Sequence, residues 1–272
     1  MNSAKILYIC SEVTPYLPDE GVVANTCRYL PQAMQEMGYE IRLFTPRYGS
    51  INERRNQLHE VIRLSGMNLI IDDTDHQLII KVASIPGARL QVYFIDNDDY
   101  FQRKSTVKDE EGLYFGDNDE RAIFFARGVM ETVKKLRWSP SVIHCHGWMS
   151  AIVPAYLKRI FKDDPIFSKA KVLISLYGDD FEGMMSPALK AKLKEEGVRA
   201  TEMGALSEPT YDNLMRFALQ YADGVVMETP DVNTALVEYI SGLDKPVLQY
   251  EQRETNDFQY YGDFYEQILS KK

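Results

Sequence analysis

The strongest constraint on the fold is a strand-like run, a helix-like stretch and a second strand-like run, in that order, near the start of the chain. Lys5-Ile-Leu-Tyr-Ile-Cys10 is almost continuously apolar. Such a run suits a strand buried on both faces of a parallel sheet. A helical stretch from about Val22 to Met37 follows and is closed by Gly38. Glu40-Ile-Arg-Leu-Phe-Thr45 reads as the next strand. Strand, helix and strand make a βαβ unit, whose crossover is right-handed.

The same alternation returns in the second half. Strands are predicted at 141–145, 171–176, 224–227 and 246–250, and helices at 148–161, 187–195, 210–221 and 231–240. The first of these helices carries Pro154, a candidate kink. An aromatic tail from Phe258 to Leu269 reads as a helix packing back onto the body. The middle is less regular. Strand patterns at 62–64, 68–72, 78–84 and 90–95 predict a strand-rich insertion between about residues 55 and 95. Gln102 to Gly112 is polar and reads as a mobile loop. Asp117-Asn-Asp-Glu-Arg121 supplies the cap and early acids of a helix running to about Arg137. With no repeat, low-complexity stretch or linker, residues 1–272 are expected to form one doubly wound, mostly parallel, Rossmann-like α/β domain.

Composition narrows the function. The chain has 31 Lys and Arg against 40 Asp and Glu, a net charge of -9, and no basic run. That argues against gripping a nucleic acid. No apolar run approaches the ~18 residues needed to span a bilayer, so no membrane partner is expected. The first residues lack the plan of a secretory signal. Cys10, Cys27 and Cys145 are odd in number and widely spaced, which suits a reducing, cytoplasmic setting rather than a disulfide framework.

Ligands of an open α/β sheet bind beyond the carboxyl ends of its strands, and four segments fall there. The first is Cys10 to Gly21, which would offer amides at a helix N-terminus to a phosphate. It has one glycine, and Asp19 and Glu20 stand where a phosphate would approach, so a plain connection with turn prolines is the rival reading. The second is His144-Cys-His-Gly-Trp148. Strand alternation puts His144 and His146 on one face, able to meet a polar ligand or to bond only to backbone. A metal reading needs a third ligand that the sequence does not reveal. The third pairs Asp96 to Tyr100 with Asp117 to Arg121, whose acids and amides suit sugar hydroxyls but equally suit turns and caps. The fourth is Tyr177 to Gly183, two glycines and three acids, either a pocket rim or a solvated loop.

These segments carry a resemblance to the bacterial glycogen synthases and plant starch synthases. Cys10-Ser-Glu-Val-Thr-Pro-Tyr16 resembles the family's C-S-E-V-x-P-Y, Leu30-Pro-Gln-Ala-Met34 its L-P-x-A-L, and Pro46-Arg-Tyr48 its P-R-Y. Phe94-Ile-Asp-Asn-Asp-Asp-Tyr-Phe101 is similar to F-x-D-N-x-x-Y-F. Gly116-Asp-Asn-Asp-Glu-Arg121 with Phe124 and Phe125 is similar to D-N-x-x-R-F. Val142-Ile-His-Cys-His-Gly-Trp148 resembles V-x-H-x-H-D-W-H, and Tyr221-Ala-Asp-Gly-Val-Val226 resembles Y-A-D-x-V. The matches run in order from about residue 5 to 240.

The resemblance implies the N-terminal half of a GT-B glycosyltransferase. In that family two Rossmann-like domains enclose a cleft, and glucose passes from a sugar nucleotide to an α-1,4-glucan with retention. The N-terminal domain handles the acceptor glucan, and the C-terminal domain holds most of the donor. This chain is expected to end about where that second domain begins. It would then depend on a separately encoded C-terminal half, or serve as a non-catalytic glucan-binding or partner-binding module. The implied site comprises His146 as the histidine near the donor glucose, with Tyr16, Asp96, Asn97, Asn118, His144 and Trp148 toward substrate. The family's K-T-G-G phosphate loop is degenerate here: its counterpart is Asp19, Glu20, Gly21 and Val22. Acid replaces lysine and valine blocks close backbone approach, so nucleotide-sugar binding is expected to be weak or absent. Gly147 and Met149 stand where the family has aspartate and histidine, and Leu176 to Gly183 lacks its His-Asn pair. No metal and no cofactor is expected.

Overall fold

The apolar runs become the centre of one sheet. The computed structural model describes residues 4–17, 21–178, 181–251 and 258–271. Their strands are β1 (Lys5–Cys10), β2 (Glu40–Pro46), β3 (His59–Glu60), β4 (Met67–Ile71), β5 (Thr74–Ser84), β6 (Gln91–Asp96), β7 (Val142–His146), β8 (Lys171–Leu176), β9 (Gly224–Met227) and β10 (Val247–Leu248). Their α-helices are α1 (Val22–Glu36), α2 (Asp98–Phe101), α3 (Asn118–Lys135), α4 (Val153–Arg159), α5 (Leu189–Glu195), α6 (Tyr211–Tyr221), α7 (Thr234–Ser241) and α8 (Gln259–Ser270).

The strand order is β10-β9-β8-β7-β1-β2-β6-β5-β3, with β4 paired to β5. From β10 to β6 every pairing is parallel, and β5 and its partners are antiparallel. This is the mostly parallel, doubly wound α/β sheet expected, with the strand-rich insertion at one edge. Ile6 pairs with Val142 and Leu7 with Ile143, so β1 and β7 are neighbours at its centre. Burial explains the apolar runs: Ile6 to Cys10 are all fully enclosed. Among the described residues no helix is long and apolar enough to cross a membrane.

Three local expectations need correction. Residues 62–64 are a turn, not a strand. Leu64 and Ser65 both donate backbone N–H groups to the Val61 carbonyl, and Ile62 is 83% exposed. The pairing falls instead on His59 and Glu60. Second, the helix expected over 148–161 is broken into a 3-10 turn at Trp148–Ser150 and α4. Pro154 has no N–H for a helix continued from Trp148, so it occupies the first turn of α4, where none is required. Third, the 102–112 segment is tied down. Lys108 bridges to Tyr114, and Arg103 forms a fork with Asp117.

Arg121 does most to hold that segment. Its guanidinium is wholly buried and donates to the Tyr100 and Thr106 carbonyls and to Asn118 Oδ1, at 2.7–2.8 Å. It also lies over the Phe101 and Phe115 rings. Removing it strands the buried acceptors of Tyr100 and Asn118, each worth roughly 1–3 kcal/mol when unsatisfied, whereas the part-buried Thr106 carbonyl can turn to water. Arg121→Met is therefore expected to lower unfolding stability in urea by about 2–4 kcal/mol. A loss under about 0.5 kcal/mol would contradict this role.

Candidate functional site

The parallel strands bring their carboxyl ends to one edge, and the connections leaving β1, β6, β7, β8 and β9 meet there. At its middle, Ser11 follows β1 and Gly147 follows β7. Ser11 N–H donates to the His146 carbonyl (2.9 Å), and Ser11 Oγ accepts from Met149 N–H (3.1 Å). Gly147 has φ +76°, and a Cβ there would lie 2.5 Å from Ser11 Oγ. A side chain is excluded on both counts, so the aspartate of the related motif cannot sit in this conformation.

Beneath this edge lies a buried polar floor. His144 and His146 project from the same face of β7, their rings 4.1 Å apart, with Tyr8 beside both. His144 is bonded at both nitrogens: Nδ1 to Tyr265 Oη and Nε2 to Ser175 Oγ, each 2.8 Å. Tyr265 Oη meets Tyr8 Oη at 2.9 Å. Ser175 in turn donates to Glu228 Oε1 at 2.5 Å, and Tyr261 donates to Glu228 Oε2. His146 Nδ1 is 2.7 Å from Tyr177 Oη, while its Nε2 is buried with no partner among the described residues. Burial drives both imidazoles toward the neutral form. His144 falls well below its usual range, with His146 adding to the effect, and His146 falls to about 3. Burial likewise pushes the Glu228 carboxyl up to about 7, against the pull of the Ser175 and Tyr261 hydroxyls.

Of the residues singled out from sequence, Asn97, Asn118 and His144 have their polar atoms committed to internal bonds, and Asp96 is held in ion pairs through Oδ2 while its Oδ1 has no hydrogen-bond partner among the described residues. Asp96 is fully buried, with Lys81 Nζ 2.8 Å and Arg47 Nε 3.7 Å from Oδ2. Its carboxyl is raised, because burial outweighs the attraction of Lys81 and Arg47. Asn97 caps α2, accepting from Asp99 and Tyr100 N–H groups and donating to the Gln77 carbonyl. Asn118 donates to the Val107 carbonyl and accepts from Arg121. His144 is bonded as above. Asp96, Asn97 and Asn118 match the motifs but offer these atoms to the fold. Tyr16 is 4% exposed, packs edge-on to Phe94, and its hydroxyl has no partner. Trp148 is partly exposed and meets Phe181 at 5.4 Å.

Around Trp148 and Phe181 lies a pocket of about 80 Å³, also lined by Tyr114, Asn118, Met184 and Met185. Tyr114 and Tyr211 pack edge-on against Phe181, giving a wall of aromatic faces. Asn118 and Trp148 are thereby brought together, whereas Asp96 and Asn97 do not line this pocket. In the degenerate phosphate loop, Asp19 and Glu20 lie outside the described residues. Gly21 is the extended N-cap of α1, with Glu12 Oε2 3.8 Å from the position of a Cβ on it, and Val22 is exposed.

Sequence reading missed Glu228, Ser175 and Tyr265. Glu228 is a single acid after a short strand, just before the Thr229-Pro230 pair. Only the β7-β8-β9 pairing brings it near the histidines. Tyr177 was noted as a loop residue but not as a partner of His146.

The model of the family "Starch synthase catalytic domain" matches residues 5–244. The glycogen synthase of Chlorobium luteolum is 34% identical over 198 residues, covering 71% of this chain and 40% of that protein. The glycogen synthase of Chlorobaculum parvum is 31% identical over 254 residues, covering 92% of this chain and 51% of that protein. The catalytic domain of starch synthase IV from Arabidopsis thaliana, bound to ADP and acarbose, aligns with a TM-score of 0.69 at 15% identity, covering 91% of this chain and 51% of that one. The chain spans about half the length of the relatives it matches. The order of motifs, the sheet and the matched span agree, and the chain belongs to the starch synthase catalytic domain family.

Proposed function

We propose that this domain forms the acceptor-glucan wall of an α-1,4-glucan synthase cleft, and that residues 1–272 by themselves transfer no glucose. The observation that best supports the reading is the pairing of an aromatic wall with a dry, neutral histidine at the end of β7. Trp148, Phe181 and Tyr114 offer flat apolar faces of the kind that pack on sugar rings. His146, two residues before Trp148, keeps an uncharged imidazole enclosed at the end of β7, so the strand end suits a neutral ligand better than an anion. Tyr16 adds a buried hydroxyl without a partner among the described residues. Three buried, unbridged cysteines fit a reducing compartment such as the cytoplasm.

Transfer requires more. A two-domain cleft orients donor and acceptor and stabilises charge from both walls. The second wall would come from a C-terminal half, in the same polypeptide or encoded separately. On this wall the donor phosphates meet acid: Glu12 stands at the α1 N-terminus, and Asp19 and Glu20 precede it in sequence. Exchanging attraction for repulsion at such a site weakens binding by on the order of 1–2 kcal/mol, roughly tenfold or more. The alternative, a non-catalytic glucan-binding or partner-binding module, draws on the same acidic entrance.

Two measurements test the reading. With maltooligosaccharides, NMR shift changes are expected at the Trp148 indole and at His146 and to disappear in Trp148→Ala, while Asn97, tied to Gln77 and α2, stays still. No change at millimolar sugar would exclude a glucan wall. With labelled ADP-glucose and glycogen, the isolated chain is expected to incorporate nothing above a His146→Ala control and to bind ADP-glucose weakly in calorimetry. Steady incorporation or micromolar donor affinity would show that one wall suffices.

A further inference from the structure

We propose that His144, His146 and Glu228 form a binding site for a borderline divalent cation, with Zn²⁺ the best match. The three side chains leave the carboxyl ends of β7 and β9 and each offers one ligand atom, all within 4.8 Å of one another. Two imidazoles and one carboxylate are a donor set used for zinc and for iron(II). Zinc bonds of about 2.0–2.1 Å put tetrahedral ligands roughly 3.4 Å apart, so the side chains need close in by no more than roughly 1.5 Å.

Two further observations point to an ion rather than to a chance cluster. His146 Nε2 is fully enclosed and has no hydrogen-bond partner, and an orphaned buried polar atom is uncommon. Its other nitrogen is held by Tyr177 Oη, which leaves Nε2 as the atom presented. Each candidate ligand also has an outer partner fixing its orientation, as metal-bound side chains generally do. Tyr265 holds His144 at Nδ1, Tyr177 holds His146 at Nδ1, and Tyr261 holds Glu228 at Oε2.

Ser175 occupies the gap between two of the ligands, 2.8 Å from His144 Nε2 and 2.5 Å from Glu228 Oε1. An incoming cation takes its place. The serine hydroxyl rotates away, the His144 proton resides on Nδ1 facing Tyr265, and Nε2 turns its lone pair to the metal. Any proton on Glu228 leaves with solvent. Glu228 keeps part of its surface exposed. Once bound, the ion ties β7 to β9 and, through Tyr261 and Tyr265, to α8.

The test uses the full chain stripped with a chelator and titrated with Co²⁺ followed by visible absorption, then with Zn²⁺ in competition. One equivalent is expected to bind at micromolar concentration or below. Glu228→Gln and His146→Asn should each weaken it at least tenfold, and Ser175→Ala, which removes only the placeholder, should retain it. Circular dichroism checks that each variant folds. Paramagnetic shifts from Co²⁺ in the unsubstituted protein locate the site even where a variant does not fold, and they should centre on the His144 and His146 rings. Failure to bind one equivalent below on the order of 100 µM, or shifts centred elsewhere, would overturn the proposal.

Discussion

A buried chain of hydrogen bonds holds the carboxyl-end edge of this sheet together. From Tyr8 through Tyr265 and His144 to Ser175, Glu228 and Tyr261, it joins β1, β7, β8, β9 and α8 on one face of the sheet. Each member is a polar group in an apolar layer, so each is stable there only while its neighbours supply partners. The constraint runs both ways. The aromatic tail helix docks because its two tyrosine hydroxyls complete bonds on the sheet, and the sheet tolerates His144 and Glu228 because Tyr265 and Tyr261 of α8 bond them, while His146 is held by Tyr177.

This floor also sets what the edge above it can do. Neutral imidazoles do not draw anionic phosphates, and the connection after β1 places Glu12 beside the α1 N-terminus. The aromatic pocket beyond β7 instead suits a neutral, hydroxyl-bearing ligand. Gly147 links the two regions, since its left-handed backbone lets Ser11 reach across and turns Trp148 toward Phe181. The proposed acceptor-side role rests on this physical chemistry of the edge.

Much of the frame was legible in the sequence, because a strand buried on both faces must be almost wholly apolar, as 5–10 and 171–176 are. The expectation at 62–64 failed because its apolar residues serve a turn and Ile62 faces solvent. The helix expected from Trp148 failed at Pro154, whose effect depends on where the preceding turn begins. At the site, motif residues were found but not their uses. Asp96 and Asn97 sit at the predicted strand end, yet Lys81 of β5 pairs with Asp96 Oδ2, and β5 and α2 take the amide of Asn97. Glu228 was illegible for a different reason: its relation to His144 spans more than eighty residues and exists only through strand pairing.

The protonation of that floor is the most direct test of the account. Side-chain ¹⁵N–¹H NMR of the histidines, with chelator present, can follow His144 and His146 from about pH 8 to about pH 5. Burial predicts that both rings stay neutral throughout, because a depressed pKa moves their titration below this range. Their stabilising share would then be complete above about pH 6.5 and fade as the pH falls toward the folded values. If either ring instead titrates with a midpoint near 6.5, water reaches the floor, and the buried network described here does not exist in solution.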